Sequence, residues 1–236
     1  TLERGQPQIP ADQVIQLRPS VRVIFGRSKD AGVLIDQPLV SARHAVVTRR
    51  GDRVIVTDLD SMSGTFVDDH RIDGSVVLKP GALLQIADHS YRLSADGTAL
   101  EPVKPSAFDI IASNVGVTGA GQRLLEGVSL VVQPGELVAI MGSSGAGKTV
   151  LLSVLNGQVA PSAGRVLISG HDLYQYYDLF RGKIGHVPQD DILHADLTVW
   201  QALWYAARLR LPRDMRDEEI AGRINKVLSQ LGLEGT

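Results

Sequence analysis

Eight residues, Gly142-Ser143-Ser144-Gly145-Ala146-Gly147-Lys148-Thr149, hold the clearest chemistry in this sequence. Two glycines, a lysine and a hydroxyl residue stand at the spacing of a phosphate-binding P-loop. Glycine lets the backbone curl until several N–H groups face one anion. A following helix turns its positive N-terminal end toward the same anion. At this spacing Lys148 reaches the β and γ phosphates of a nucleoside triphosphate, and Thr149 can ligate Mg²⁺. A glycine-rich turn with a solvated lysine is the simpler alternative. It does not explain why an apolar run precedes the loop and Val150, Leu151, Leu152, Val154 and Leu155 follow it.

A second set of residues comes in three short patches. These are Phe25-Gly26-Arg27-Ser28, Val40-Ser41-Ala42-Arg43-His44-Ala45 and the stretch from Asp58 through Ser61, Ser63 and Gly64 to Phe66. A phosphate dianion needs a fixed cation plus neutral donors, and the planar fork of arginine suits it. Arg27 with Ser41 is such a pair, provided the fold brings them together. Each charge-assisted bond contributes on the order of 1.5–3 kcal/mol. Arg43 is a nearby second cation.

The elements that must position these two sets differ in texture. In the first hundred residues, β-rich runs occur at 14–17, 21–25, 45–49, 54–58, 76–78, 83–86 and 90–93. Turn signals such as Arg50-Gly51-Asp52, Asp73-Gly74 and Pro80-Gly81 separate them, which predicts an all-β sandwich. Loops at one end of a sandwich can bring Arg27 and Ser41 together. Residues 101–107, with Pro102 and Pro105, read as a semi-rigid linker. Beyond it, strand-like runs at 108–112, 128–132, 136–141, 165–168 and 184–187 mix with helical stretches from Lys148, over 199–210 and over 218–231. That mixture indicates an α/β domain. The expected architecture is thus a sandwich over 1–100, a linker over 101–107 and a partial α/β P-loop domain over 108–236.

The second half resembles a known family. The stretches from Leu124 to Leu130 and from Pro134 to Gly142 resemble the entry into an ABC nucleotide-binding domain. Ser162-Ala-Gly-Arg-Val-Leu-Ile-Ser-Gly170 looks like the family's G-x-[IV]-x-[IVL]-x-G strand, and Ile184-Gly-His-Val-Pro-Gln189-Asp-Asp191 like its Q-loop. The residues from Leu193 to Leu203 and from Ala206 to Pro212 resemble the helical subdomain of G-type (White-like) ABC transporters. The resemblance implies ATP and Mg²⁺ as cofactors. Gln189 would join Thr149 in the Mg²⁺ shell and help place the attacking water. It further implies a transporter that couples ATP hydrolysis to export. Its nucleotide-binding domain would pair with a second copy at the cytoplasmic face of a membrane, beside a transmembrane domain outside this chain. One departure concerns the base: Gly119 stands where family members often carry an aromatic residue that stacks on adenine.

The first half, from Val14 to Leu93, resembles a forkhead-associated (FHA) domain, with the three patches in the family's order. The resemblance implies that Arg27 and Ser41 contact the phosphate of a phosphothreonine, while His44 braces the loop. The phosphothreonine segment would come from the same protein or from another. Ser63 stands where the family usually has an asparagine that holds the peptide backbone, and Ala42 replaces a residue that often supplies a donor. Arg27, Ser41, Arg43 and Ser63 are therefore the candidate phosphopeptide contacts. FHA-containing ABC transporters of bacteria combine the two halves.

Composition narrows the alternatives. The net charge of −2 and a pI near 6.3 argue against nucleic acid as a partner. The absence of cysteine excludes disulfides and thiolate metal sites and suits a reducing compartment, so a soluble, cytoplasmic fragment is expected. No apolar run approaches the ~20 residues a bilayer needs. The chain does not begin with Met and is expected to be a piece of a longer one. The family's signature sequence, its catalytic glutamate and its switch histidine would all follow Thr236. On that reading the piece binds MgATP without turning it over. The alternative function is a phosphothreonine-dependent binding module whose ATPase half is inactive.

Overall fold

The computed structural model describes residues 8–104, 108–119, 121–189 and 196–233. Residues 105–107 of the expected linker and residues 190–195 of the expected Q-loop segment lie outside them. The chain forms two compact units, Thr1–Val103 together with Pro188–Thr236, and Lys104–Val187.

The first unit opens with twelve strands. They are β1 (Ile9–Pro10), β2 (Ile15–Gln16), β3 (Arg22–Gly26), β4 (Val33–Leu34), β5 (Ala45–Arg50), β6 (Arg53–Asp58), β7 (Thr65–Val67), β8 (His70–Arg71), β9 (Ser75–Leu78), β10 (Leu83–Ile86), β11 (His89–Leu93) and β12 (Ala99–Val103). They make two six-stranded sheets, β1-β4-β3-β5-β6-β9 and β2-β12-β11-β10-β7-β8. Inward side chains of both sheets share one core containing Phe25, Val47, Val56, Leu84, Ile86, Tyr91 and Leu100. Phe25 and Tyr91 meet across it edge to face, with centroids 5.3 Å apart. Such alternation, inward apolar and outward polar, is what a sandwich requires. All seven strand runs read from the sequence are strands. The boundary differs: Glu101, Pro102 and Val103, expected in the linker, pair with Arg92, Tyr91 and Ser90 as part of β12. β2 pairs only with Ala99 and Leu100, so the far side of β12 is open at Pro102, which has no N–H to donate there.

The second unit carries a four-stranded sheet in the order β14-β13-β15-β16, built from β13 (Ile110–Gly119), β14 (Gln122–Val132), β15 (Ala163–Ile168) and β16 (His171–Asp172). Ser169 and Gly170, both at positive φ, turn β15 into β16. Helix α1 (Lys148–Leu155) buries Leu151 and Val154, and the short α2 (Tyr177–Phe180) buries Leu179 and Phe180. The Tyr174 hydroxyl shares its one proton between the Val154 and Val159 carbonyls, tying the end of α1 to the chain that follows it; burial raises this phenol to about 12.

Two expected strands are absent. Residues 136–141 and 184–187 are irregular, with Leu137 97%, Met141 89% and Val187 91% exposed. An apolar run becomes an inner strand of a parallel sheet only when strands on both sides take its backbone hydrogen bonds. Among the described residues nothing pairs with either run.

Two helices complete the first unit. Helix α3 (Val199–Arg210) starts at a capping box: Thr198 Oγ1 accepts from Gln201 N, and Gln201 Oε1 accepts from Thr198 N. It stops because Pro212 holds Leu211 extended. Helix α4 (Asp217–Gln230) has three acids in its first turn, favoured by the helix dipole. It ends with Gly232 at φ 68°, where Leu233 N reaches Leu228 O and Gly232 N reaches Ser229 O. Ile220, Ile224 and Leu228 of α4, with Met215, pack against Trp200, Leu203, Trp204, Ala207 and Leu211. Trp200 and Trp204 stack 5.0 Å apart, Arg208 covers Trp204, and Arg208 pairs with Asp217.

Candidate functional site

The loops after β3 and before β5 meet at the end of the first sheet. Arg27 N donates to Ser41 O at 3.0 Å and Ser28 N to Ala42 O at 3.1 Å. The approach leaves no space at Gly26, where an added Cβ would lie 2.1 Å from Ala42 O. Arg27 and Ser41, separate in sequence, thus form one cradle. The Arg27 side chain is 8% exposed, and its Nε donates to Val40 O at 3.2 Å, which fixes the guanidinium and leaves its two terminal nitrogens for other partners. Ser41 is buried, and its Oγ accepts from Met62 N at 3.3 Å. Ser63 lines the neighbouring loop, but its Oγ donates to Leu39 O at 2.9 Å. Arg43 is exposed and forms no ion pair with a described residue.

His44 braces this cradle from beneath. It is fully buried; its Nδ1 accepts from Ser41 N at 3.3 Å and its Nε2 donates to Gly64 O at 3.1 Å. That pattern requires the neutral ring, because a proton on Nδ1 would confront the Ser41 N–H. Burial lowers the pKa of His44, against the raising effect of the Gly64 carbonyl. The unfolded chain therefore binds the proton more readily. Stability conferred by His44 is complete above about pH 6.5, its unfolded value, and is lost as pH falls toward the folded value. Unfolding free energies from urea titrations between pH 7.5 and 5.5 are expected to carry a His44 contribution of at most about 1.4 kcal/mol per pH unit. His44→Gln is expected to remove it. His89, also lowered chiefly by burial, adds a slope of the same sign that the variant keeps.

The motif patches gave no role to Asp58. Its carboxylate accepts from Ser61 N at 3.0 Å, Ser61 Oγ at 2.5 Å and Thr65 Oγ1 at 2.5 Å, and so shapes the third loop. A short Asp-x-x-Ser spacing is its signature in the sequence. Asp214 and Glu219 belong to none of the motif patches. Yet Glu219 Oε1 lies 3.1 Å from Arg27 Nη1, Asp214 Oδ1 lies 3.6 Å from Arg27 Nη2, and Asp214 Oδ2 accepts from Ala42 N at 2.6 Å. Nothing in the local sequence links them to Arg27.

In the second unit, residues 142–147 wrap ahead of α1. Gly145 and Gly147 have φ of 80° and 85°, and a Cβ on Gly147 would lie 2.8 Å from Leu124 O. Gly147 caps α1 without a side chain, so the first-turn N–H groups stay open to an anion. Lys148 Nζ folds over the loop onto Gly142 O at 2.9 Å and Ser143 O at 2.7 Å. Thr149 is exposed in the first turn, and Ser143, Ser144 and Ala146 are exposed along the loop. These donors suit phosphate oxygens, and the Thr149 hydroxyl suits a hard cation such as Mg²⁺. Gln189 belongs to the first unit and is exposed in an irregular segment. Gly119 ends β13, so no aromatic side chain arises there.

Comparisons with known proteins agree with both halves. Residues 125–236 match the family described as ABC transporter, and residues 23–87 match the FHA domain. An ABC transporter ATP-binding/permease protein of Mycobacterium tuberculosis is 35% identical over 219 residues, covering 90% of this chain and 25% of its own. ABC transporter G family member 22 of Arabidopsis thaliana is 44% identical over 113 residues, 48% of this chain and 15% of its own. The chain thus spans a quarter or less of the length of these two relatives. Among solved structures, Mycobacterium tuberculosis EmbR in complex with a low-affinity phosphopeptide is 31% identical. It covers 31% of this chain and 20% of its own, with a TM-score of 0.31.

Proposed function

Because this chain joins an FHA domain to an ABC transporter ATP-binding domain, we propose that it is the phosphothreonine-reading, ATP-binding regulatory part of an exporter. In the whole protein, ATP hydrolysis drives export across a membrane whose cytoplasmic face this part adjoins, and two nucleotide-binding domains pair. The observation that carries the phosphothreonine reading is the cradle of Arg27, Ser41 and the Ala42 N–H, held by a close approach that only Gly26 permits. Arg27 supplies the fixed charge, Ser41 a neutral donor, and Arg43 and Ser63 the outer contacts to the peptide. Titrating the chain with matched threonine and phosphothreonine peptides tests it: equal binding of the two removes the reading.

On the ATPase side, Gly142 to Thr149 would hold the phosphates, with Lys148 carrying the neutralising charge and the Thr149 hydroxyl supplying a ligand for Mg²⁺. Phosphoryl transfer also needs a positioned water and stabilisation of spread charge. The signature sequence and catalytic glutamate that supply these in the family have no counterpart in 193–236. Steady-state phosphate release with excess MgATP is therefore expected to equal that of Lys148→Ala, whereas nucleotide binding should fall about tenfold or more in that variant. Turnover that vanishes in Lys148→Ala would show that this stretch suffices for hydrolysis.

A further inference from the structure

The Arg27 cradle already faces an anion supplied by its own chain. Glu219 Oε1 accepts from Arg27 Nη1 at 3.1 Å, and Asp214 Oδ2 accepts from Ala42 N at 2.6 Å, with its Oδ1 3.6 Å from Arg27 Nη2. We propose that the α3–α4 hairpin is a ligand of this cradle in cis, its two carboxylates occupying the place of a phosphothreonine phosphate, so that hairpin and phosphopeptide exclude one another. The proposal rests on the phosphothreonine reading above.

Charge and donors both support this. Two carboxylates carry about the charge of a phosphothreonine, roughly −1.5 to −2 near pH 7. They use the guanidinium and the backbone N–H that shape the cradle. The hairpin also presents them in a fixed way. Glu219 Oε2 accepts from Arg216 N at 3.1 Å, so the start of α4 orients the carboxylate that meets Arg27. Partial burial pushes the Glu219 carboxyl up, but the Arg216 N–H and the Arg27 charge outweigh it and hold it below the usual range. Asp214 stands beside Met215, which is buried in the hairpin's own core.

The fit is incomplete in a way that favours phosphate. Arg27 Nη2 is a buried atom with no hydrogen bond, since Asp214 comes no nearer than ion-pair distance. The Ser41 hydroxyl proton is also unused by either carboxylate. A phosphate has three strong acceptor oxygens and can engage both. Asp214 is 41% and Glu219 32% exposed, so the carboxylates can be displaced. A segment that fills a site for most of the time raises the apparent Kd by the inverse of the open fraction. Phosphopeptide binding would then release α3 and α4, which lie in the ABC transporter half.

Two measurements on the same chain test this. The first is the Kd of a phosphothreonine peptide for the native chain and for Asp214→Asn with Glu219→Gln, changes that keep shape and the α4 cap. Neutralisation is expected to tighten binding about tenfold. The second uses the absence of cysteine. Ala42→Cys with Arg213→Cys flanks the contact, and a short bis-maleimide is expected to bridge the two. Bridging should fall when Asp214 and Glu219 are neutralised, and when the phosphorylated but not the unphosphorylated peptide is added. An unchanged Kd in proteins that bind the peptide, or bridging indifferent to neutralisation, each overturns the proposal. If no protein binds the phosphopeptide, the phosphothreonine reading fails instead, and the dependence of bridging on the carboxylates still decides whether the hairpin docks.

Discussion

Arg27→Ala is expected to weaken phosphothreonine-peptide binding at least about a hundredfold, which for two lost charge-assisted bonds of ~1.5–3 kcal/mol each is the lower bound. The magnitude follows from preorganisation. Arg27 Nε is spent on Val40 O, so the ends of the fork are aimed before any ligand arrives. The cradle backbone survives the substitution, because Arg27 reaches Ser41 O through its main-chain N–H. Loss of the Val40 bond costs about 1 kcal/mol of stability, which a thermal melt can measure separately. Arg27→Lys keeps the charge but not the planar fork, and its affinity should fall between the two. Retention of native affinity by Arg27→Ala, measured by titration with one labelled phosphopeptide, would place the phosphate elsewhere.

The second large effect is expected at Gly26. An added Cβ would sit 2.1 Å from Ala42 O and 2.8 Å from Ala42 C, both backbone atoms that cannot rotate away. Gly26 has no positive φ, so the cost is contact and not conformational strain. Gly26→Ala must push the loop carrying Ser41 and Ala42 away from Arg27. Overpacking of this kind costs about 3 kcal/mol at its upper end, which for a domain of this size corresponds to a melting point lower by roughly 10–20 °C. Phosphopeptide affinity should fall with it, since Arg27 and Ser41 would part. Gly51→Ala is a useful control because Gly51 is open to space, and its φ of 58° supplies backbone strain without a clash. A Gly26→Ala protein with native melting and native affinity would refute the close-approach account.

Where sequence and structure agree, the information was local. A capping box, Thr198 to Gln201, and a proline at 212 bound α3 at the residues that the periodicity predicts. Alternating apolar residues fixed the sandwich strands, because a one-residue slip would turn each inner face to water. The eight-residue P-loop and the Gly-Arg, Ser-x-x-His and Gly-Thr patches are similarly short patterns, whose residue types answer to phosphate chemistry and to tight loop packing.

What only the tertiary structure decided involved pairing between distant segments. Residues 136–141 and 184–187 have strand composition, yet composition cannot supply the neighbouring strands that a buried parallel strand needs, and both runs stay irregular. Glu101–Val103 read as linker because of its proline, whereas its pairing with β11 makes it the last strand of the sandwich. Asp58 needed the folded loop to reveal Ser61 and Thr65 as its partners. Most of all, Asp214 and Glu219 meet Arg27 across most of the chain, Glu219 from 192 residues away. A carboxylate gives no sign in sequence of which cation it will meet, because ion pairing depends on distance in space and is indifferent to separation along the backbone.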